Sequence, residues 1–320
     1  MMVPEPRPAD DPRNGPVYLR KTLIAQGHDD RSIARLVADG VLVRVRRGAF
    51  ADKATADGLD ADGRHGLRAR AVVQQARTRV VLSHVSGLPE YDAPTWGLDL
   101  SEVHLTRTDA KTGRREAGVR QHRGAVLPGD VVERNGLEVM SPTRLALEAT
   151  TLGTSESGLI VVNHFLHSGA TTRGQLLERY ALMEHWPHTL RTGLVLRWAD
   201  HRIESVGESR THHLILSNGL PPPEPQYAIV DASGRVVAYV DFAWPELGVF
   251  LEFDGKVKYE RLLRPGQRPS DVVVAEKRRE AMICRLTGWT CVRLDWDDLA
   301  HPAATLRLIR STLFPRPLAA

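Results

Sequence analysis

Apolar and polar positions recur with two periods along this chain, and each period marks a different kind of element. Leu19 to Gln26 suits a short helix that Gly27 breaks. Over Arg31 to Asp39, Ile33, Leu36 and Val37 fall on one helical face, with Asp30 placed to cap the start and Gly40 to stop the end. Val41 to Phe50 then alternates apolar with basic residues, the two-residue period of a strand hairpin. Helix, turn, helix, basic hairpin is the order of a winged helix, which we place at residues 17–62. The polar, proline-rich stretch 1–16 lacks any such period and reads as a disordered leader.

Further on, Gly66 to Gln75 is helical in pattern. Short strand-like runs follow at Val80 to Leu82, Leu98 to Thr106, Gly118 to His122 and Gly136 to Met140. Pro142 suits the first turn of a helix, and Thr171 to Leu182 is the clearest of the helical stretches that reach about Leu196. This mixed region spans 63–200. From residue 201 a helix running to about Ser217 carries Glu204 and Glu208, four apart and so on one face. Past the stiff connector Pro221 to Pro225 come three strands, Gln226 to Val230, Arg235 to Phe242 and Val249 to Phe253, joined by turns rich in Asp, Gly and Pro. The fold class is α/β of the α+β kind, in several domains, the last being 201–320.

Composition narrows this picture only slightly. Hydrophobic residues at 42% and charged residues at 26% are ordinary for a globular protein, and no apolar run reaches the roughly eighteen residues of a membrane span. A cytoplasmic protein with no membrane partner is expected, with Cys284 and Cys291 reduced. A net charge of +4 is compatible with nucleic acid without pointing to it. Placement says more than the total. Arg31, Ser32 and Arg35 should face out of the second helix and Arg44, Arg46 and Arg47 should decorate the wing, as phosphate contact with DNA requires. Ser83-His84 invites a nucleophile–base reading, but no acid partner is evident, so Ser83 is taken as a helix cap and His84 as a packed side chain.

The register of the last hairpin carries the chemistry. With a loop over Pro245 to Gly248, Trp244 pairs with Val249, and counting outward sets Asp241 opposite Glu252. Facing carboxylates repel, and Asp254 adds a third on the same face. A divalent cation with oxygen ligands, magnesium or manganese, would offset that repulsion. Lys256 stands two residues further on, where an ammonium would hold a phosphate or orient water.

Two resemblances extend these readings. The small winged helix closing on Arg47-Gly48-Ala49-Phe50, Leu82-Ser83-His84-Val85-Ser86-Gly87, Val119-Arg120-Gln121-His122 and the run Met140 to Glu148 resemble AbiEi-type antitoxins of type IV toxin–antitoxin systems. That likeness implies an amino terminus that contacts DNA, and a cognate toxin protein as a further partner. Glu208-Ser209, Val240 to Glu246, Leu251 to Gly255, Lys277-Arg278-Arg279, Gly288-Trp289 and Val292-Arg293-Leu294 resemble PD-(D/E)xK nucleases, specifically domains related to very-short-patch-repair endonucleases. The likeness implies an α/β/α domain of restriction-endonuclease type and a catalytic set of Glu208, Asp241, and Glu252 or Asp254 with Lys256. Val240 stands where that family has a proline, and which acid pairs with Lys256 is open. Asp241, Glu252 and Asp254 would hold the metal, which polarises a scissile phosphate and acidifies a bound water. Arg278 and Arg279 would grip flanking phosphates. The expected function is a metal-dependent DNA endonuclease guided by a winged helix. The alternative is a transcriptional regulator or antitoxin with an inactive nuclease-like domain, and RNA is a third option for substrate.

Overall fold

The structure is a computed structural model that describes residues 5–109, 113–183, 186, 188–255 and 269–315. The chain is a multidomain α+β protein, and it divides into two compact units, Met1–Arg197 and Trp198–Ala320.

The first unit opens with β1 (Val17–Leu19), α1 (Arg20–Ala25), α2 (Asp30–Ala38), β2 (Leu42–Arg46) and β3 (Ala49–Asp52), the strands forming an antiparallel sheet in the order β1-β3-β2. Leu23 of α1, Ile33 of α2, Leu42 and Phe50 close one small core. Ala49 and Ala51, on the other side of β3, pack with Val17, Leu19 and with Leu67 and Ala71 of a later helix. The cap of α2 is Asp29, not Asp30. Asp29 is still extended, so its carboxylate reaches the Ser32 N–H at 2.7 Å while Ser32 Oγ accepts the Asp29 N–H at 2.9 Å. Asp30 is already helical and pairs instead with Arg20 at 2.6 Å.

Within the leader 1–16, expected to be disordered, the described residues 5–16 make long-range contacts. Arg7 is buried against Glu90, its backbone N–H donates to Asn135 Oδ1 at 3.0 Å, and Arg134 donates to the Glu5 carbonyl at 2.8 Å. Long-range ionic hydrogen bonds hold this segment, and local composition contains no sign of them.

After α3 (Lys53–Asp57) and α4 (Ala61–Gln75) comes a mixed six-stranded sheet: β4 (Val80–Leu82), β5 (Val103–Arg107), β6 (Arg115–Glu116), β7 (Val119–His122), β8 (Val131–Arg134) and β9 (Leu137–Met140). Its order is β6-β7-β5-β4-β9-β8, with β5 parallel to β7 and β4 parallel to β9. A 3-10 segment, His84–Tyr91, leaves the end of β4. Ser83 makes no side-chain cap bond to it, contrary to the sequence reading. The strand expected from Leu98 begins only at Val103, because Asp99 accepts both the N–H and the hydroxyl of Ser101 in a turn. Four helices complete the unit: α5 (Pro142–Thr150), α6 (Ser155–His167), α7 (Arg173–Ala181) and α8 (Thr192–Trp198).

The second unit runs α9 (Val206–Ser217), β10 (Glu224–Val230), β11 (Val236–Trp244), β12 (Val249–Phe253), α10 (Pro269–Thr287), β13 (Thr290–Leu294), α11 (Trp296–Ala300) and α12 (Pro302–Leu313). The sheet order is β10-β11-β12-β13, antiparallel except where β13 joins β12 in parallel. On one face Phe242, Trp244, Leu251 and Phe253 pack with Ile215, Leu299 and Ile309 from helices α9, α11 and α12. On the other, Val240, Ala243 and Phe250 meet Ile283 of α10, with the free, half-buried Cys284 and Cys291 at the margin. α9 lies so close to β12 that a Cβ on Gly207 would fall 2.0 Å from Phe253. Only glycine permits that approach, which brings the next residue, Glu208, down to the sheet. No described helix is long and apolar enough to cross a membrane.

Candidate functional site

The carboxylates singled out in the sequence lie in the second unit. Trp244 pairs with Val249, Ala243 with Phe250 and Phe242 with Leu251, so the register is the counted one. Pairing stops one step before Asp241 and Glu252. There Asp241 Oδ2 takes the place of a ladder carbonyl and accepts the Phe253 N–H at 2.7 Å. Across β11 the left-handed Gln226 (φ 50°) falls where the β10–β11 pairing skips a step, and its side chain donates to Glu208 Oε2 at 3.2 Å. Glu208 is buried and also receives the Glu204 N–H at 3.0 Å and the Ser205 hydroxyl at 2.6 Å. Glu204 itself precedes α9, so the shared helical face expected of the two glutamates does not exist.

Glu252 is 8% exposed, and burial pushes its carboxyl above the usual carboxylate range. Arginines answer that cost. Arg279 Nη1 stands 2.8 Å from Glu252 Oε1 and Arg293 Nη2 3.2 Å from Oε2. Arg293 is shared further with Asp254 at 3.8 Å, Glu276 at 3.5 Å and Glu280 at 2.9 Å. Arg279 therefore turns towards the sheet rather than out to flanking phosphates, while Arg278 is exposed. Asp241, Glu252 and Asp254 are not gathered into one cluster of ligand atoms, and the protein already supplies partners to each acid of the set. Lys256 lies outside the described residues.

In the first unit, Arg31, Arg35, Arg44 and Arg47 are exposed as expected. The Ser32 hydroxyl is committed to the cap of α2, which removes it from the list of outward contacts. Arg46 is half-buried, with no ion pair among the described residues, and burial alone lowers its pKa. It lines a groove of about 570 Å³ with Arg77, Arg107 and Arg114, where Glu116 is the one acidic residue.

A third constellation escaped the sequence reading. His84, His104 and His122 each present a ligand nitrogen within 4.8 Å of the others, the one such group of three among the described residues. His104 and His122 sit on the parallel strands β5 and β7, where Thr106 faces His122 and His104 faces Arg120. His122 Nε2 and His104 Nδ1 share a hydrogen bond of 3.0 Å. The His84 ring stacks on His122 at 3.6 Å between centroids. His84 adopts a left-handed backbone (φ 53°), unusual for a residue with a side chain. Glu148 of α5 fixes it, accepting the His84 N–H at 2.7 Å and standing 3.4 Å from His84 Nδ1, which also meets Ser83 Oγ at 3.0 Å. Arg144 clamps Glu148 at 2.8 Å and Asp130 at 2.9 Å, and all three side chains are buried. Burial drives the imidazoles towards the neutral form: His84 well below the usual value, His104 to about 4 and His122 to about 2. In the sequence these are three isolated histidines, two of them in strand runs and one just past a third, and only strand order joins them.

No family model matches the chain. Two uncharacterized proteins of Mycobacterium tuberculosis, MT2308 and Rv2248 from two strains, are each 34% identical to it over 112 residues, which is 35% of this chain and 38% of theirs. The chain thus spans little more than a third of the length of the curated relatives it matches. Among solved structures, the RV2827C protein of the same organism aligns over 67% of this chain and 83% of its own, at 16% identity and a TM-score of 0.36.

Proposed function

We propose that this chain is a DNA-binding phosphodiesterase: the first unit holds duplex DNA through its winged helix, and the second hydrolyses a phosphodiester with a divalent cation at Asp241 and Glu252. The observation that carries the reading is the position of those two acids. They stand on neighbouring strands where the β11–β12 ladder ends, and desolvated Glu252 already draws positive charge, that of Arg279 and Arg293, to this point. Two carboxylates are the donor type that magnesium or manganese takes. Such a cation, when bound, supplies charge stabilisation at the phosphate and a more acidic water. Glu208, fixed by Ser205 and Gln226, holds the adjoining edge of the site. Arg279, which now pairs with Glu252 at 2.8 Å, would be released to receive a phosphate oxygen if a cation held that acid. On the first unit, Arg44, Arg47 and the groove lined by Arg46 supply the phosphate contacts.

A second reading rests on a specific observation. Arg279 and Arg293 already neutralise Glu252, which suits a regulator or antitoxin whose nuclease-like unit only binds.

Plasmid nicking in magnesium, together with melting temperatures with and without the ion, separates the two. The enzyme reading expects cleavage by the parent chain and none by D241N or E252Q, with the magnesium-induced rise in melting temperature lost in both. A parent that never cuts and shows no magnesium response leaves the regulator. For DNA binding, R46A should weaken affinity evenly across sequences and lower the slope of log K against log salt by about 1. An unchanged slope removes Arg46 from the interface.

A further inference from the structure

We infer that His84, His104 and His122 form a binding site for one zinc-class divalent ion, held by three imidazoles with a fourth position open to water. The site lies in the first unit and is separate in residues and in chemistry from the carboxylates of the second.

The donor set selects the ion. Three nitrogens suit zinc and its neighbours, whereas magnesium takes oxygens and keeps its water. A tetrahedral ion with bonds of about 2.0–2.1 Å keeps its ligand nitrogens about 3.3–3.4 Å apart. His104 Nδ1 and His122 Nε2 stand 3.0 Å apart, so admitting the ion asks the pair to open by a few tenths of an ångström. The proton they share moves to the other nitrogen of its ring, and both rings stay neutral. His84 Nδ1 faces Ser83 Oγ and Glu148 Oε2, so a proton there leaves the lone pair on Nε2. The His84 ring lies nearly parallel over His122, 15° between planes, so it has to turn about its Cβ–Cγ bond for that lone pair to meet the ion. Glu148 is then the carboxylate that orients a ligating histidine from behind, a recurrent partner in metal sites. It is fully buried and locked by Arg144, and its grip on the His84 N–H maintains the left-handed backbone that turns this ring towards the other two. His84 and His104 are buried while His122 is only partly so, and solvent on that side supplies the fourth ligand.

Three elements distant in sequence meet here: the 3-10 segment after β4, β5 and β7. The ion should therefore stabilise the whole first unit, with a melting temperature that rises as zinc is added.

The test uses the full chain without a polyhistidine tag, stripped with a chelator. Calorimetric titration with zinc chloride should give one ion per chain in the low micromolar range or tighter. Cobalt chloride should give the intense visible bands of a four-coordinate site. H104A and H122A should abolish both signals, and E148Q, a positioning change, should weaken zinc by about 10–100-fold. H201A, which removes an exposed histidine of the second unit, should leave the titration unchanged. Should H122A not fold, H122N retains a polar group opposite His104, and the cobalt spectrum of the parent chain needs no variant. No saturable zinc at one equivalent, a six-coordinate cobalt spectrum, or full zinc affinity in a folded H122A or H122N would overturn the site. Loss of zinc binding in E252Q alone would overturn it too, by placing the ion in the second unit.

Discussion

The histidine cluster of the first unit and the acids of the second face one problem, titratable side chains pressed into a protein interior, and resolve it in opposite ways. Burial removes the charge from His84, His104 and His122, and the neutral rings of His84 and His122 stack while His122 and His104 share a hydrogen bond. Glu252 has no such freedom while ionised, so Arg279 and Arg293 come to it and Asp241 turns to a backbone N–H. Like residues converge in a core when they can shed their charge. When they cannot, they recruit the opposite sign. The acid set was the more conspicuous in sequence, yet it is the histidines that the fold draws together.

The sharpest way to break this comparison is at the one place where the histidine region does bury charge. Arg144 is 1% exposed between Glu148 and Asp130. R144A leaves both carboxylates without that partner and should lower stability by about 3–5 kcal/mol in urea unfolding. A loss under about 1 kcal/mol would mean that Arg144 contributes little to holding Glu148 and Asp130 in place.

Acid offers a second, smaller probe. His65, bonded to Ser86 Oγ at 2.8 Å, and His212, stacked on Phe242, are both pushed down to about 4, with burial the main cause. A depressed folded pKa means that the unfolded chain takes up protons first. Each group's contribution is therefore whole above about pH 6.5 and is lost as pH falls through about 4. At about 1.4 kcal/mol per unit, a fall from 6.5 to about 4 corresponds to roughly 3 kcal/mol for each. Glu252, with its pKa raised, acts in the opposite sense: its penalty is absent in acid and grows as pH rises through its folded pKa. Urea midpoints between pH 7 and pH 4 should fall, and H65N should flatten the fall. An unchanged profile in H65N would show that His65 is not buried neutral.

The smallest effect is expected at Glu252 itself. Arg279 and Arg293 are both partly exposed, and Arg293 keeps Glu276 and Glu280. E252Q should thus change stability by less than about 1 kcal/mol in either direction without metal. A loss as large as that of R144A would make these acids a structural keystone, and the contrast between the two regions would fail.

Local pattern was enough for much of this protein. The helices around Leu23 and Ile33, the basic hairpin, and the pairing of Trp244 with Val249 follow from periodicity and turn residues, which act over a few neighbours. So does the outward placement of Arg44 and Arg47. What tertiary structure decided are the encounters between distant segments. Arg7 finds Glu90, Arg279 and Arg293 find Glu252, and the strand order β7-β5-β4 brings His122, His104 and His84 to one place. Strand order and helix placement are settled by how whole apolar faces pack. A lone charged or imidazole side chain then meets whatever that packing sets beside it, and no periodicity along the chain encodes the meeting.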